Sequence, residues 1–119
     1  MASTIIDTEK DTIKVHGRGS LTLPFQVFDE DEDGVQTQRD ISADTYYFEV
    51  HGADIRKLLT SNPDDDEGLL LQLTRTEVET LTTSPLKFSF VDESDENYPV
   101  VEWHGTIQRF GYTGEPGGA

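Results

Sequence analysis

The stretch Leu21-Thr-Leu-Pro-Phe-Gln-Val-Phe-Asp29 decides the fold class. Leu21, Leu23, Phe25 and Val27 fall on one side of an extended chain, and Thr22, Pro24 and Gln26 on the other. That two-residue period predicts a strand with one buried face. Pro24 has no N–H to give a ladder, so the strand belongs at a sheet edge or carries a bulge. Phe28 breaks the pattern by placing an aromatic ring on the polar side, which marks it as a contact residue. The strand runs into an acidic turn, Asp29-Glu-Asp-Glu-Asp-Gly34, and Asp40-Ile-Ser-Ala-Asp44 leads to a second strand, Thr45–Val50.

Outward from this pair the same grammar repeats. Thr12–Val15 reads as a short strand ended by the turn cluster His16-Gly-Arg-Gly19. Ile55, Leu58 and Leu59 have helical spacing, which predicts one or two helical turns over 53–59. Ser61–Gly68 reads as a polar loop and Leu69–Leu73 as a strand. Thr74-Arg-Thr-Glu77 has the capping-box spacing that starts a helix, with Val78 and Leu81 as its apolar positions and Ser84-Pro85 as its end. Leu86–Val91 alternates again, Asp92–Asn97 forms an acidic hairpin loop, and Pro99–Phe110 predicts a long strand with a bulge at Gly105. Strands at regular intervals with turn clusters between them predict an all-β fold. The expected architecture is an antiparallel β-sandwich, immunoglobulin-like or jelly-roll-like, with one or two short helices. The expected organisation is an N-terminal arm over 1–11, with Ile5-Ile6 as a contact point, a sandwich domain over 12–112 and a flexible tail over 113–119.

Composition narrows the function classes. A chain of 119 residues holds one core, not two. The net charge is −15, and no basic patch is visible, which disfavours nucleic acid and anionic membranes as partners. Basic protein surfaces and divalent cations remain. Strong self-repulsion suits a protein kept soluble at high concentration, or one working in high salt. The chain has no cysteine, which removes disulfides, thiolate zinc sites and a cysteine nucleophile. No apolar run approaches the roughly 18 residues of a membrane-spanning helix.

The order and spacing of these elements resemble the N-terminal β-sandwich domain of the phage baseplate upper protein family, over about residues 12–112. The segments that carry the resemblance are Phe25-Gln-Val-Phe-Asp29, Asp33-Gly34, Asp40-Ile-Ser-Ala-Asp44, Leu73-Thr74 with Glu77, and Trp103-His-Gly-Thr-Ile107. Asp44 departs from the family's Gly-Ala step, and the acidic turn is longer than the family's. The resemblance implies a non-enzymatic docking part of a tailed-phage virion. It transfers no ligand-binding residue. Longer family members continue into a receptor-binding or branching part after this domain.

One motif points to metal chemistry. Asp29, Asp31 and Asp33, followed by Gly34 and by Asp40 at the twelfth position, have the carboxylate spacing of an EF-hand loop, in which alternate oxygens wrap Ca²⁺. The context departs from that motif: a strand precedes the loop, Gln36 stands at the eighth position, and Asp40 is shorter than the usual bidentate Glu. A solvated acidic hairpin and a Ca²⁺ loop of another geometry therefore stand as alternatives. Asp64–Glu67 and Asp92–Glu96 read as solubilising loops that protect strand edges, or as a charged face for a basic partner. His16, His51 and His104 lie on separate turns without metal-ligand spacing. No nucleophile elbow and no phosphate-cradling glycine loop occurs, so no catalytic and no cofactor-binding residue is assigned. Tyr46, Tyr47, Phe48, Trp103, Phe110 and Tyr112 are the aromatic anchors. Pro24, Phe28, Tyr47 and Tyr112 are the expected interface residues.

The resemblance implies a virion structural protein: a tail or baseplate adaptor first, a capsid decoration or head–tail connector protein second. Its expected partners are other virion proteins and further copies of itself. A Ca²⁺-dependent module binding carbohydrate or a host surface is the alternative from another class.

Overall fold

Period-two patterning organises most of the chain into strands. The computed structural model describes residues 3–17 and 19–110. In chain order the elements are β1 (Ser3–Asp7), β2 (Thr12–His16), β3 (Leu21–Phe25), β4 (Val27–Glu30), β5 (Gln36–Arg39), β6 (Tyr46–His51), β7 (Ile55–Leu58), β8 (Thr60–Asn62), β9 (Asp65–Leu73), α1 (Arg75–Glu79), β10 (Leu86–Asp92) and β11 (Val100–Phe110). They form a six-stranded sheet in the order β1-β2-β11-β10-β6-β7, a three-stranded sheet β3-β9-β8, and a separate hairpin β4-β5. The two larger sheets pack face to face, so the fold is the expected all-β sandwich. Its pairings are antiparallel except for β2 beside β11, which run parallel.

The core is the sum of the inward-facing positions. Ile13, Val15, Phe48, Val50, Phe88, Phe90 and Ile107 come from the large sheet, and Leu21, Leu23, Leu69, Leu71 and Leu73 from the small one. Phe90 lies at the centre of an aromatic cluster: stacked on Phe25 at 4.3 Å between centroids, stacked on Trp103 at 5.7 Å, and tilted against Phe48 at 4.8 Å. Such pairs add about 0.5–1.5 kcal/mol each beyond the area they bury.

The capping box forms as its spacing predicts. Thr74 Oγ1 accepts from the Glu77 N–H at 3.2 Å, and Glu77 Oε1 accepts from the Thr74 N–H at 2.9 Å. Val78 and Leu81 turn into the core. The carbonyl end of α1 is held by Arg109, a fully buried side chain of β11. Its Nε donates to the Leu81 carbonyl at 3.2 Å and its Nη2 to the Glu79 carbonyl at 3.4 Å. A cation there also meets the negative end of the helix dipole.

Five expectations change. The segment 53–59 is not helical: Gly52 (φ 95°) and Asp54 (φ 53°) turn the chain back sharply, and β7 pairs with β6 from Val50↔Ile55 to Tyr47↔Leu58. Three apolar residues over so short a span fit either period, and the ladder decides. The polar stretch 61–68 is a hairpin joining β8 to the charged beginning of β9. The strand expected over Leu21–Asp29 is interrupted at Gln26, where β3 leaves the small sheet and β4 starts the separate hairpin. Residues 3–7 of the expected arm are β1, an edge strand paired with β2. The bulge falls at Glu102, three residues before the expected Gly105, where Phe90↔Trp103 gives way to Val91↔Val101. Gly105 serves another purpose: a Cβ there would lie 1.9 Å from the Asp11 carbonyl oxygen, so only glycine lets β11 pass the β1–β2 turn.

Candidate functional site

The hairpin β4-β5 packs mainly on itself and is tied to the sandwich at its base. Asp65, at the start of β9, is the tie. Its Oδ2 accepts from Gln26 Nε2 at 2.6 Å and Gln38 Nε2 at 2.9 Å, and its Oδ1 from the Glu67 N–H at 3.0 Å. Hydrogen bonds from Gln26 first, then Gln38 and the backbone, hold the Asp65 carboxyl below its ordinary pKa. A second tie runs from Arg39 of β5, whose Nη1 reaches Glu102 Oε1 of β11 at 3.3 Å. The Tyr46 hydroxyl donates to the same oxygen at 3.3 Å. Burial, followed by the charge of Glu102, raises the Tyr46 pKa.

Between this anchored hairpin and β1 lies an open groove of about 600 Å³. Its apolar wall is made by Ile6, Pro24, Phe25, Val27, Phe28 and Trp103. Among the described residues, Asp11 and Glu102 are its charged lining residues and no Lys or Arg lines it. Asp11 Oδ1 accepts from Trp103 Nε1 at 2.7 Å, fixing the indole as the groove floor beside Phe90. Phe28 remains 49% exposed and Ile6 42% exposed, so the wall offers apolar surface to a partner.

Two of the expected interface residues, Pro24 and Phe28, thus meet in one groove. Pro24 also sits where its missing N–H costs least, since β3 is an edge strand. Tyr47 lies elsewhere. Tyr46, Phe48 and Val50 face the core, so Tyr47 is on the outer face of the large sheet. There the register aligns Val101, Val91, Tyr47 and Leu58 in one row across β11, β10, β6 and β7. Val101 is 52% and Leu58 47% exposed. Arg56 stacks over the Tyr47 ring at 3.7 Å and is paired with Glu93 at 2.8 Å. Val91 is only 6% exposed, so the row presents Val101 and Leu58 at its two ends, with Tyr47 under Arg56, as a second apolar surface on the face of the sheet away from the groove. Tyr112 lies outside the described residues.

The carboxylates of the EF-hand-like spacing do not converge. Asp29 receives the Arg39 guanidinium through both Nε and Nη2, which holds its carboxyl below the ordinary range. Asp31 Oδ1 accepts the N–H groups of Asp33 and Val35, both at 2.9 Å. Asp40 Oδ1 accepts the Ser42 hydroxyl at 2.6 Å and the Ser42 N–H at 3.0 Å, and its pKa falls accordingly. Asp33 contributes no ligand to a common centre: among the described residues no group of three or more His, Asp or Glu side chains is arranged to hold a metal ion. Asp31 and Asp40 serve turn formation instead, and Asp29 serves the ion pair with Arg39. An aspartate accepting the N–H two residues on closes an Asx turn, and Asp7, Asp92 and Asp95 do the same in other loops. The histidines stay apart in role: His16 ends β2 and stacks on Phe110, His51 ends β6, and His104 lies within β11.

Sequence reasoning did not single out Asp65, Gln26, Gln38, Arg39 or Glu102. Their signal is pairwise and long-range, and polar residues in loops carry no period. Ile5 and Ile6, the expected contact point, lie on opposite faces of β1 and are both exposed. Comparison of the chain with protein-family models, curated protein sequences and solved structures gave no significant match.

Proposed function

We propose that this protein is a non-enzymatic structural module of a tailed phage or virus virion, a tail or baseplate adaptor that joins neighbouring virion proteins by surface complementarity. The observation that carries the reading is the pair of apolar surfaces set on different sides of one small acidic sandwich: the groove at Pro24 and Phe28, and the row Val101, Val91, Tyr47 and Leu58. A part that links two neighbours needs two such faces, and a body of net charge −15 keeps the free module soluble until it is placed. The resemblance of residues 12–112 to the baseplate upper protein domain supports the same assignment. Contacts between copies of the chain are assigned to the outer row, which crosses four strands.

The test is immunogold electron microscopy of virus particles from the source, with an antibody against this chain. Label at the tail tip supports the adaptor. Label spread over the head makes the protein a capsid decoration protein. Absence of label from every particle removes the virion assignment.

A further inference from the structure

The sandwich is open along one side, where the free edges of its sheets are β1 and β3. A strand edge presents unpaired N–H and C=O groups, and proteins shield such edges with proline, lysine, bulges or a covering segment. On β3 the shield is Pro24. On β1, Ser3-Thr-Ile-Ile-Asp7, there is neither proline nor lysine, and its register with β2 runs unbroken from Ser3↔His16 to Asp7↔Thr12. Among the described residues no strand pairs with its outer edge. Ile6 lies opposite the core residue Ile13, so it is on the core-facing side, yet it is exposed because β1 overhangs the smaller sheet. Ile5 lies opposite Lys14 on the other face and is 60% exposed. The groove is therefore the space beneath an unfinished sheet.

We propose that β1 accepts an extended segment of a different polypeptide as an added strand. Its alternate apolar side chains fill the groove between Ile6, Phe28 and Trp103, and cationic residues flank them. Main-chain pairing supplies the affinity and the groove supplies the choice of side chain. Charge identifies the occupant. Asp11 and Glu102 line the groove; Glu102 shares the single cation Arg39 with Asp29, which leaves that trio negative. Asp7, Glu9 and Asp11 outnumber Lys10 on the strand end and turn beside it. A second copy of this chain would bring a further −15, whereas a Lys- or Arg-flanked strand is attracted. The proposal rests on the docking reading above, but its test uses the isolated protein, so its failure leaves the particle-labelling result standing, and the reverse.

The probe is the capped peptide Lys-Lys-Val-Thr-Phe-Thr-Val-Lys-Lys, with Glu-Glu-Val-Thr-Phe-Thr-Val-Glu-Glu as its counterpart, titrated into ¹⁵N-labelled protein. The expected result is a saturable shift and slowed hydrogen exchange of the amides of Ser3–Asp7, with the acidic peptide at least about tenfold weaker, a difference of about 1.4 kcal/mol. Ile6→Lys lowers the affinity of the cationic peptide by about tenfold or more while the melting temperature is kept. Phe28→Ser, on an exposed ring, acts in the same direction and guards against misfolding of the first variant. No saturable shift on β1, shifts confined to the acidic loops, or equal binding of both peptides overturns the proposal. So does sedimentation showing self-association that Ile6→Lys abolishes, which would assign the edge to a second copy.

Discussion

Replacing Gly105 by alanine tests whether the close passage of β11 over the β1–β2 turn holds this side of the sandwich together. The added Cβ would lie 1.9 Å from the Asp11 carbonyl oxygen and 2.8 Å from its carbonyl carbon. These are backbone atoms, so relief requires the turn and the strand to separate by about 1 Å or more to restore van der Waals distance. Three things depend on the present distance. The Thr106 N–H donates to that same oxygen at 3.0 Å, Trp103 Nε1 donates to Asp11 Oδ1 at 2.7 Å, and Trp103 packs on Phe88 and Phe90. Each hydrogen bond contributes about 1 kcal/mol net, and overpacking of a filled site adds about 1–3 kcal/mol. The expected loss is about 3 kcal/mol, which for a domain of this size lowers Tm by about 12 °C. Gly34→Ala is the control. Gly34 has φ 80°, but its nearest neighbour for a Cβ is Glu30 Oε1 at 3.6 Å, so alanine meets only the left-handed conformational cost of about 1 kcal/mol. Thermal unfolding followed by circular dichroism reads both. If Gly105→Ala melts within about 3 °C of the parent, or no lower than Gly34→Ala, the steric argument is wrong.

Other outcomes follow from the same contacts. The Asp65 carboxyl has a folded pKa below its unfolded value, so its contribution is present above about pH 4 and is lost as pH falls through the folded value. Asp65→Asn should therefore lower Tm at pH 7, and the gap to the parent should narrow as pH falls below about 4; a gap that stays constant as the carboxyl is protonated would count against the tie. Arg109→Met removes the donors to the Glu79 and Leu81 carbonyls at the end of α1. Leaving the buried Leu81 carbonyl unpaired costs about 1–3 kcal/mol, and a Tm within 2 °C of the parent would show that α1 is held otherwise. Isothermal titration with Ca²⁺ at sub-millimolar concentration should give no saturable heat, because Asp29, Asp31 and Asp40 are committed to Arg39, to backbone N–H groups and to Ser42; a stoichiometric site would refute that reading of the loop.

What the sequence reveals depends on whether a residue's partner is near it in the chain. Thr74 and Glu77 are three apart and satisfy each other, so the capping box is readable without the fold. Leu21, Leu23 and Phe25 report one buried face because the strand period is local. The strand β5, Gln-Thr-Gln-Arg, has no apolar alternation, because both faces of its hairpin are largely exposed, and it is invisible to that test. The helix expected over 53–59 fails because strand pairing with β6 is set by the turn at Gly52 and Asp54, not by the spacing of Ile55, Leu58 and Leu59. The carboxylate spacing at Asp29, Asp31, Asp33 and Asp40 shows the same limit. Along the chain the aspartates look alike, yet Asp31 and Asp40 close Asx turns while Asp29 pairs with Arg39, ten residues on. Pro24 and Phe28 stand out because each violates the local rule of its strand. That they share a groove with Ile6 and Trp103 follows from β11 lying between β2 and β10, a topology the sequence does not display.

The two apolar surfaces should respond oppositely to salt, and this separates their roles. Copies of the chain approaching through the row Val101, Val91, Tyr47 and Leu58 each carry −15, so the barrier to their association is mutual repulsion. The Debye length falls from about 10 Å at 0.1 M to about 3 Å at 1 M ionic strength, while apolar burial persists or strengthens. Self-association through the row should therefore tighten as salt rises, and Val101→Glu should reverse it. A cationic strand on β1 gains from attraction to Asp7, Asp11 and the trio of Asp29, Arg39 and Glu102, all at the surface, so its affinity should fall over the same range. Sedimentation velocity and the peptide titration, each run from 0.1 to 1 M NaCl, read the two slopes. Slopes of the same sign would mean that one surface serves both contacts, and the division of labour between groove and outer row would fall.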